Sequence, residues 1–564
     1  MKPQVLYAAF APLSQKLLGV EASAAPRATL SNLTVTLPGY GSFAGTSINK
    51  TLSGYDLPTA VDAWLGVDYA AQPTGAARFT AVGFPEPFDG VKDASSYGRV
   101  CVQDPSSSGS YIQDEACLNF NVYRTAGVPM NQKLPVLVWT HGGSFITGYS
   151  TLFDGASFVA SSKAPMVAIS FHYRLNSLGF LPSTIFEEEG LLNLGLRDTR
   201  LFLEFLNMHV SQFGGDPDKV TLGGRSAGAH AVGIHYFHNY GETAGNPLFN
   251  QVLMQSGSIT ARAFPPADYP LYQRQFAEFM EYLGCPTADN TAALSCLRSA
   301  DITAIRDIST KLWVDSEYNV TWPFQPALGG FLLEKPGSVS GVDGTFHHLP
   351  LLTSNVNDEG KFYAPGDLQT NEQFINFLWN ISPNMTTDDI ADLNVLYPDP
   401  LIDETSPYSN SPNTTQFDRI SAALSDYMYI CAGQESAYRA AAGDVSSVWK
   451  VRFNVPNRAP LWQGVPHGSD SRPTWNEPNI QYPEVSPMYH GYLSSFVTTG
   501  NPNTYRQDGT PEWPTYQPAG FGLDSEPASQ LLVDRNGTVV EKDVLRREQC
   551  LWWRDSVRAI RLNK

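Results

Sequence analysis

The sequence predicts an α/β fold: a large, mostly parallel central sheet with helices on both faces and long loop excursions. Three observations predict it. Short, continuously apolar runs recur along the chain. Helical patterns separate them. No internal repeat and no clean linker divides the 564 residues, so residues 25–564 are expected to form one domain. Continuous apolar strands require cover on both faces, which is the situation of a parallel sheet between helices.

The runs come in order at 134–139, 166–170, 220–222, 351–354 (just after Pro350) and 448–453. Between them, 201–209 carries Leu201, Phe202, Phe205 and Leu206 on one helical stripe, and 227–236 is a second helix. The segment 394–415 is rich in Pro, Ser and Asn and is expected to be a surface excursion.

Hydrophobic residues make up 42% of the chain, enough for a large core, while charged residues are only 16%, against about a quarter in average proteins. The net charge of −18 repels phosphate backbones, so nucleic acid is not an expected partner. No apolar run reaches the ~18 residues that an integral membrane segment needs. Residues 1–24 read as a secretory signal: Lys2 opens it, 5–10 is apolar, and Ala22-Ser23-Ala24 is a small-x-small cleavage pattern. Seven glycosylation sequons agree with that route, at Asn32, Asn49, Asn319, Asn380, Asn384, Asn413 and Asn536. The expected location is extracellular, or the lumen of the secretory pathway. Six cysteines in such a chain favour disulfides. Proximity pairs Cys101 with Cys117 and Cys285 with Cys296, leaving Cys431 with Cys550. No Cys-x-x-Cys is present, and neither a metal nor a cofactor is expected.

Gly224-Arg225-Ser226-Ala227-Gly228 is the one Gly-x-Ser-x-Gly in the chain. The pattern alone is weak, since about 0.3 chance matches are expected at this length and usual composition. Its setting strengthens it: an apolar strand leads in and a small-residue helix leads out, the strand–turn–helix of a nucleophile elbow. A serine hydroxyl becomes a useful nucleophile only when a base takes its proton. The expected chain order is serine, acid, histidine. The strand at 351–354 is followed by Asp358 and Glu359, both candidates for the acid. Of the two histidines beyond them, His490 sits in a helical pattern. His467 lies in a Gly-Val-Pro-His-Gly loop past the strand at 448–453 and is the expected base. His141-Gly142-Gly143-Ser144-Phe145 follows another strand, and its glycines free backbone amides to face a developing oxyanion. Each such donor lowers a barrier by roughly 3 kcal/mol. His230, His235 and His238 cluster at helical spacing without acidic or thiol companions, so they read as structural. His347 and His348 read as a polar loop.

Taken with further motifs, the chain resembles the type-B carboxylesterase/lipase family, the α/β-hydrolases that include cholinesterases and fungal secreted esterases and lipases. The resemblance rests on Cys117-Leu118-Asn119-Phe120-Asn121-Val122, Tyr173-Arg174, Leu178-Gly179-Phe180 and Asn193-Leu194-Gly195-Leu196-Arg197-Asp198. It extends through Phe213-Gly214-Gly215-Asp216-Pro217, Gln255-Ser256-Gly257-Ser258 and Thr499-Gly500-Asn501-Pro502-Asn503. It implies Glu359 as the acid, Gly143, Ser144 and Ala227 as oxyanion amides, and Ser256 as a hydroxyl close to the triad. It also implies the cysteine pairing that proximity suggests. The sequence departs from the family in three places. Arg225 stands where the residue before the nucleophile is usually Glu, which puts the usual buried ion-pair network in doubt. Ser144 replaces a third glycine. The 101–117 loop has Tyr111 but no Trp to hold choline, which disfavours a cholinesterase.

The expected function is therefore a secreted carboxylic-ester hydrolase acting through a Ser-Glu-His triad and an acyl-enzyme, on small-molecule or lipid esters. Two other readings compete with it. One is an enzyme that cleaves or transfers an ester on one metabolite of a fungal natural-product pathway. The other is a non-catalytic adhesion protein, which the presence of all three triad residues argues against.

Overall fold

The structure, a computed structural model, describes residues 33–238 and 247–564. The expected leader, 1–24, and the Asn32 sequon lie outside them. The centre is an eleven-stranded sheet. In chain order its strands are β1 (Thr46–Lys50), β2 (Asp56–Asp68), β3 (Asn119–Thr125), β4 (Leu134–Thr140), β5 (Val167–Phe171), β6 (Gly215–Arg225), β7 (Gln251–Gln255), β8 (Leu351–Val356), β9 (Val448–Asn454), β10 (Ser529–Asp534) and β11 (Gly537–Lys542). In space they run β11-β10-β9-β8-β7-β6-β4-β5-β3-β2-β1. From β5 through β4 to β10 every pairing is parallel, and antiparallel strands close both ends. All five expected strands are present. Side chains alternate between two core layers: Val136 and Val138 of β4 pack into one, Leu137 and Trp139 into the other. That two-sided burial is why these strands read as continuous apolar runs.

Helices cover the sheet. α1 (Leu194–His209) and α2 (Ala227–Phe237) enclose the two predicted helical segments. On α1 the buried stripe is Phe202, Leu203, Phe205 and Leu206, while Leu201 is only partly buried. Further on, α3 (Phe417–Ser425) and α4 (Cys431–Ala442) are joined by a π-helical turn, Asp426–Ile430, whose five side chains are all buried. α5 (Val485–Thr499) carries His490, buried and bonded through Nδ1 to the Thr474 carbonyl at 3.0 Å, a structural histidine as expected.

Disulfides join Cys101–Cys117, Cys285–Cys296 and Cys431–Cys550. The last fastens α4 to the helix Arg547–Trp553 across 119 positions. The excursion at 394–415 mixes exposed and partly buried residues, with Asp399, Ser406 and Tyr408 buried and Tyr397 at its base fully buried. Its hydroxyl donates to Asp426 at 2.7 Å and accepts from Trp553 at 2.9 Å. Composition marks the polar excursion but not the aromatic that roots it. Of the sequons within the described residues, Asn49, Asn380, Asn384, Asn413 and Asn536 are exposed and Asn319 is partly so.

Candidate active site

Because the inner strands are parallel, their C-terminal ends emerge along one edge, where α/β sheets place their sites. The loop at 141–148 follows β4, Ser226 follows β6, Ser256 follows β7, Glu359 lies three residues past β8, and His467 comes on the loop after β9. Residues spread over more than 300 positions thus converge.

Ser226 caps α2 with φ 58° and ψ −128°, a conformation that costs a non-glycine residue energy. Its amide donates to the Gln255 carbonyl at 2.9 Å and its carbonyl accepts from the His230 amide at 2.9 Å, so the turn is held at both ends. Gly228 explains why the elbow tolerates little else: a Cβ there would lie 2.1 Å from the Thr140 carbonyl oxygen. Ser226 itself is 6% exposed, so the hydroxyl is reached through a narrow opening.

The loop after β4 bends sharply: Gly143, Ser144 and Phe145 have φ of 118°, 57° and 63°. Its carbonyls are tied down. Gly143 accepts from the Thr147 amide at 2.9 Å, Ser144 from Gln325 Nε2 at 2.7 Å and Phe145 from the Asn176 amide at 2.7 Å. The amides of Gly143, Ser144 and Ala227 find no acceptor in the chain among the described residues. Gly143 has a second constraint, since a Cβ would meet the Thr147 carbonyl at 2.0 Å.

Between the two acid candidates the geometry discriminates. Glu359 is fully buried; its Oε2 lies 2.5 Å from His467 Nδ1 and its Oε1 accepts from the Val356 amide at 2.9 Å. Asp358 does not face the imidazole. It clamps the histidine loop instead: its amide donates to the Val465 carbonyl at 3.0 Å, and its Oδ2 accepts from the Val465 amide at 3.0 Å. The other imidazole nitrogen, His467 Nε2, is buried with no hydrogen-bond partner among the described residues.

Sequence reasoning did not find three neighbours of this site. Tyr429, on the π-helical turn, stacks on the His467 ring with centroids 4.5 Å apart. Its hydroxyl donates to that of Tyr363 at 2.9 Å, and both hydroxyls interact with the side chain of Ser226. Burial pushes the Tyr363 phenol up to about 12, so it stays neutral. Asp470, three residues past His467, is fully buried; burial pushes its carboxyl up to about 6 against the opposing pull of Arg225. A π turn leaves no mark in composition, but Asp470 was readable as the next carboxylate on the histidine loop. Ser256 is buried with φ 48°, donates its amide to the Ser354 carbonyl at 2.8 Å, and leaves its hydroxyl unpaired among the described residues.

The three histidines clustered after the elbow have separate partners. Burial holds His230 and His235 down to about 3, so both are neutral. His230 accepts from the Ser258 amide at 3.3 Å, His235 bonds the Ala231 carbonyl at 2.8 Å, and His238 lies 3.1 Å from Glu334. One grouping of metal-ligating residue types occurs among the described residues, Asp426 with Cys431 and Cys550, but its two sulfurs are bonded to each other.

A model of the carboxylesterase family matches residues 31–553. The chain belongs to that family. It is 59% identical over 532 residues to secreted lipase 4 of Gibberella zeae, covering 94% of each chain. It is 27% identical to lipase 1 of Geotrichum candidum, over 84% of this chain and 89% of the lipase. Among solved structures it is similar to EstA of Aspergillus niger, with a TM-score of 0.80, 27% identity, and 94% and 99% of the two chains covered. Family and architecture together make this carboxylesterase an α/β-hydrolase and a carboxylic-ester hydrolase, as its sequence motifs predict.

Proposed function

We propose that the carboxylesterase works through Ser226 as nucleophile, His467 as general base and Glu359 as the carboxylate that orients it. The observation that carries this reading is the 2.5 Å contact between Glu359 and His467 beside a strained, elbow-borne serine. Glu359 accepts a hydrogen bond from Nδ1–H, which keeps that proton on Nδ1 and leaves Nε2 as the basic nitrogen. Nε2 then takes the proton of Ser226 as Oγ attacks the ester carbonyl. The carbonyl oxygen gains negative charge where the amides of Gly143, Ser144 and Ala227 lack acceptors, at the positive end of α2. His467 returns the proton to the leaving alkoxide, and an acyl-enzyme remains. Water, deprotonated by the same imidazole, attacks the acyl carbon, and the imidazolium hands that proton to the departing Ser226 Oγ as the acid is released.

The protein is read as secreted, with residues 1–24 removed and residues 25–564 acting as one catalytic domain. The names of its similar proteins support an extracellular lipase or esterase. The test is hydrolysis of p-nitrophenyl esters from acetate to palmitate by protein collected from the medium, beside Ser226→Ala. Loss of activity in the variant supports the nucleophile, and the chain-length optimum separates esterase from lipase. N-terminal sequencing of the same sample reads the cleavage point. Undiminished hydrolysis by Ser226→Ala would sink the triad.

A further inference from the structure

Arg225 directly precedes the nucleophile and is half-buried. Most of the partly or fully buried arginines of this chain are anchored: Arg174 to Asp198 at 2.6 Å, Arg546 to Asp426 at 2.8 Å, Arg452 to Glu541 at 2.7 Å. Arg225 is not. Among the described residues its side chain makes no hydrogen bond, no ion pair within 4.0 Å and no aromatic contact. None of its nitrogens is sealed from solvent. Its place is next to the base: Nη1 lies 2.5 Å from where a Cβ on Gly468 would stand, so the guanidinium rests against the backbone that carries His467. The titratable groups that its charge acts on are Asp470 and Tyr363. Asp470 acts on it only through space, and Asp470 Oδ1 also lacks a hydrogen-bond partner.

A guanidinium that is partly desolvated, has idle donors and stands beside a nucleophile is a site for an anion. Its planar fork matches a carboxylate bidentately, and the reduced dielectric of a narrow opening strengthens the pairing. The overall charge of −18 works against anions at long range, but screening within about 8 Å at physiological salt leaves the local cation to decide. Accepting the triad reading on which it rests, we propose that Arg225 is a specificity-determining residue. It receives a carboxylate carried by the ester close to the scissile bond. The carboxylate belongs to either the acyl or the alcohol part, which share this chemistry.

Two matched substrate pairs test it. Mono-p-nitrophenyl glutarate against p-nitrophenyl hexanoate places the charge on the acyl side. 4-Acetoxybenzoate against 4-acetoxybenzamide places it on the leaving side. The readout is the anionic-to-neutral ratio of kcat/KM, which cancels any general effect of a substitution. In Arg225→Met the ratio is expected to fall by about tenfold or more in one pair, which identifies the side, while Arg225→Lys keeps part of it. In the wild type, added salt is expected to lower the same ratio. A ratio that is the same in wild type and Arg225→Met for both pairs, and insensitive to salt, overturns the proposal. Failure of the underlying triad looks different: Ser226→Ala would still turn over the neutral esters.

Discussion

His467 Nδ1 meets Glu359 Oε2 at 2.5 Å although the two residues are 108 positions apart, and the Asp358–Val465 bonds hold their two loops in register. The carboxylate is fully buried and takes a second hydrogen bond from the Val356 amide, so its direction is fixed before any ester arrives.

Glu359→Gln keeps the shape but offers the imidazole an amide, which favours the wrong tautomer. The expected result is a fall in kcat of about 10⁴-fold with little change in thermal stability. Steady-state kinetics and a melting curve on the same preparation read both. A loss below tenfold would mean that Glu359 does not orient His467.

Asp358→Ala removes the side-chain acceptor of the Val465 amide and lets the histidine loop drift. A displacement near 1 Å costs on the order of 10²-fold in rate. Asp358→Asn retains an acceptor and is expected to keep most of the activity. Equal damage from both variants would assign the effect to lost charge, and with it the Lys361 contact at 3.5 Å, rather than to the clamp.

Gly143→Ala forces a Cβ to within 2.0 Å of the Thr147 carbonyl at φ 118°. The loop must shift, and its amides move with it. Loss of one oxyanion donor costs about 10²–10³ in kcat. Labelling of Ser226 by a fluorophosphonate, followed in parallel, reports whether the nucleophile is still in place. Near-normal kcat would remove the 143–144 amides from the mechanism.

Asp470 gives a pH signature. Its folded carboxyl is raised to about 6, above the ~3.9 of an unfolded aspartate, because burial penalises the charge. The folded state therefore holds a proton that the unfolded state has lost. This term stabilises fully below about pH 4 and disappears as pH rises through about 6. The shift corresponds to about 3 kcal/mol. Asp470→Asn cannot titrate, so the stability of wild type relative to Asp470→Asn should fall by that order between pH 4 and 7. Denaturant unfolding at several pH values measures it, and a flat difference would contradict the assignment.

Much of this site was legible in the chain. Gly-x-Ser-x-Gly, Gly-Gly-Ser and Gly-Val-Pro-His-Gly are local motifs, because a tight turn or exposed amide is built from a few consecutive residues. The strands were legible for a related reason: burial on both faces leaves an unbroken apolar run. Tyr429 left no comparable mark. It reaches His467 because a π turn adds a residue to the α3–α4 connection and rotates the ring into the site, which only the packing of α3 on the turn that carries Glu359 and of α4 on the sheet dictates. Tyr397 was hidden in a polar segment for the same reason.

By itself, then, the sequence determined five of the inner strands and two of the helices between them, the elbow at Ser226, the glycine loop at 142–143, and the list of acids and bases that could follow. Tertiary structure decided which of two adjacent carboxylates faces His467, which tyrosines border Ser226, and that Arg225 has no ion pair within 4.0 Å among the described residues. The physical reason is distance along the chain. Turn geometry and two-sided burial are properties of neighbouring residues, whereas hydrogen bonds and ion pairs across a hundred positions exist only once a sheet has brought separate loops to one edge.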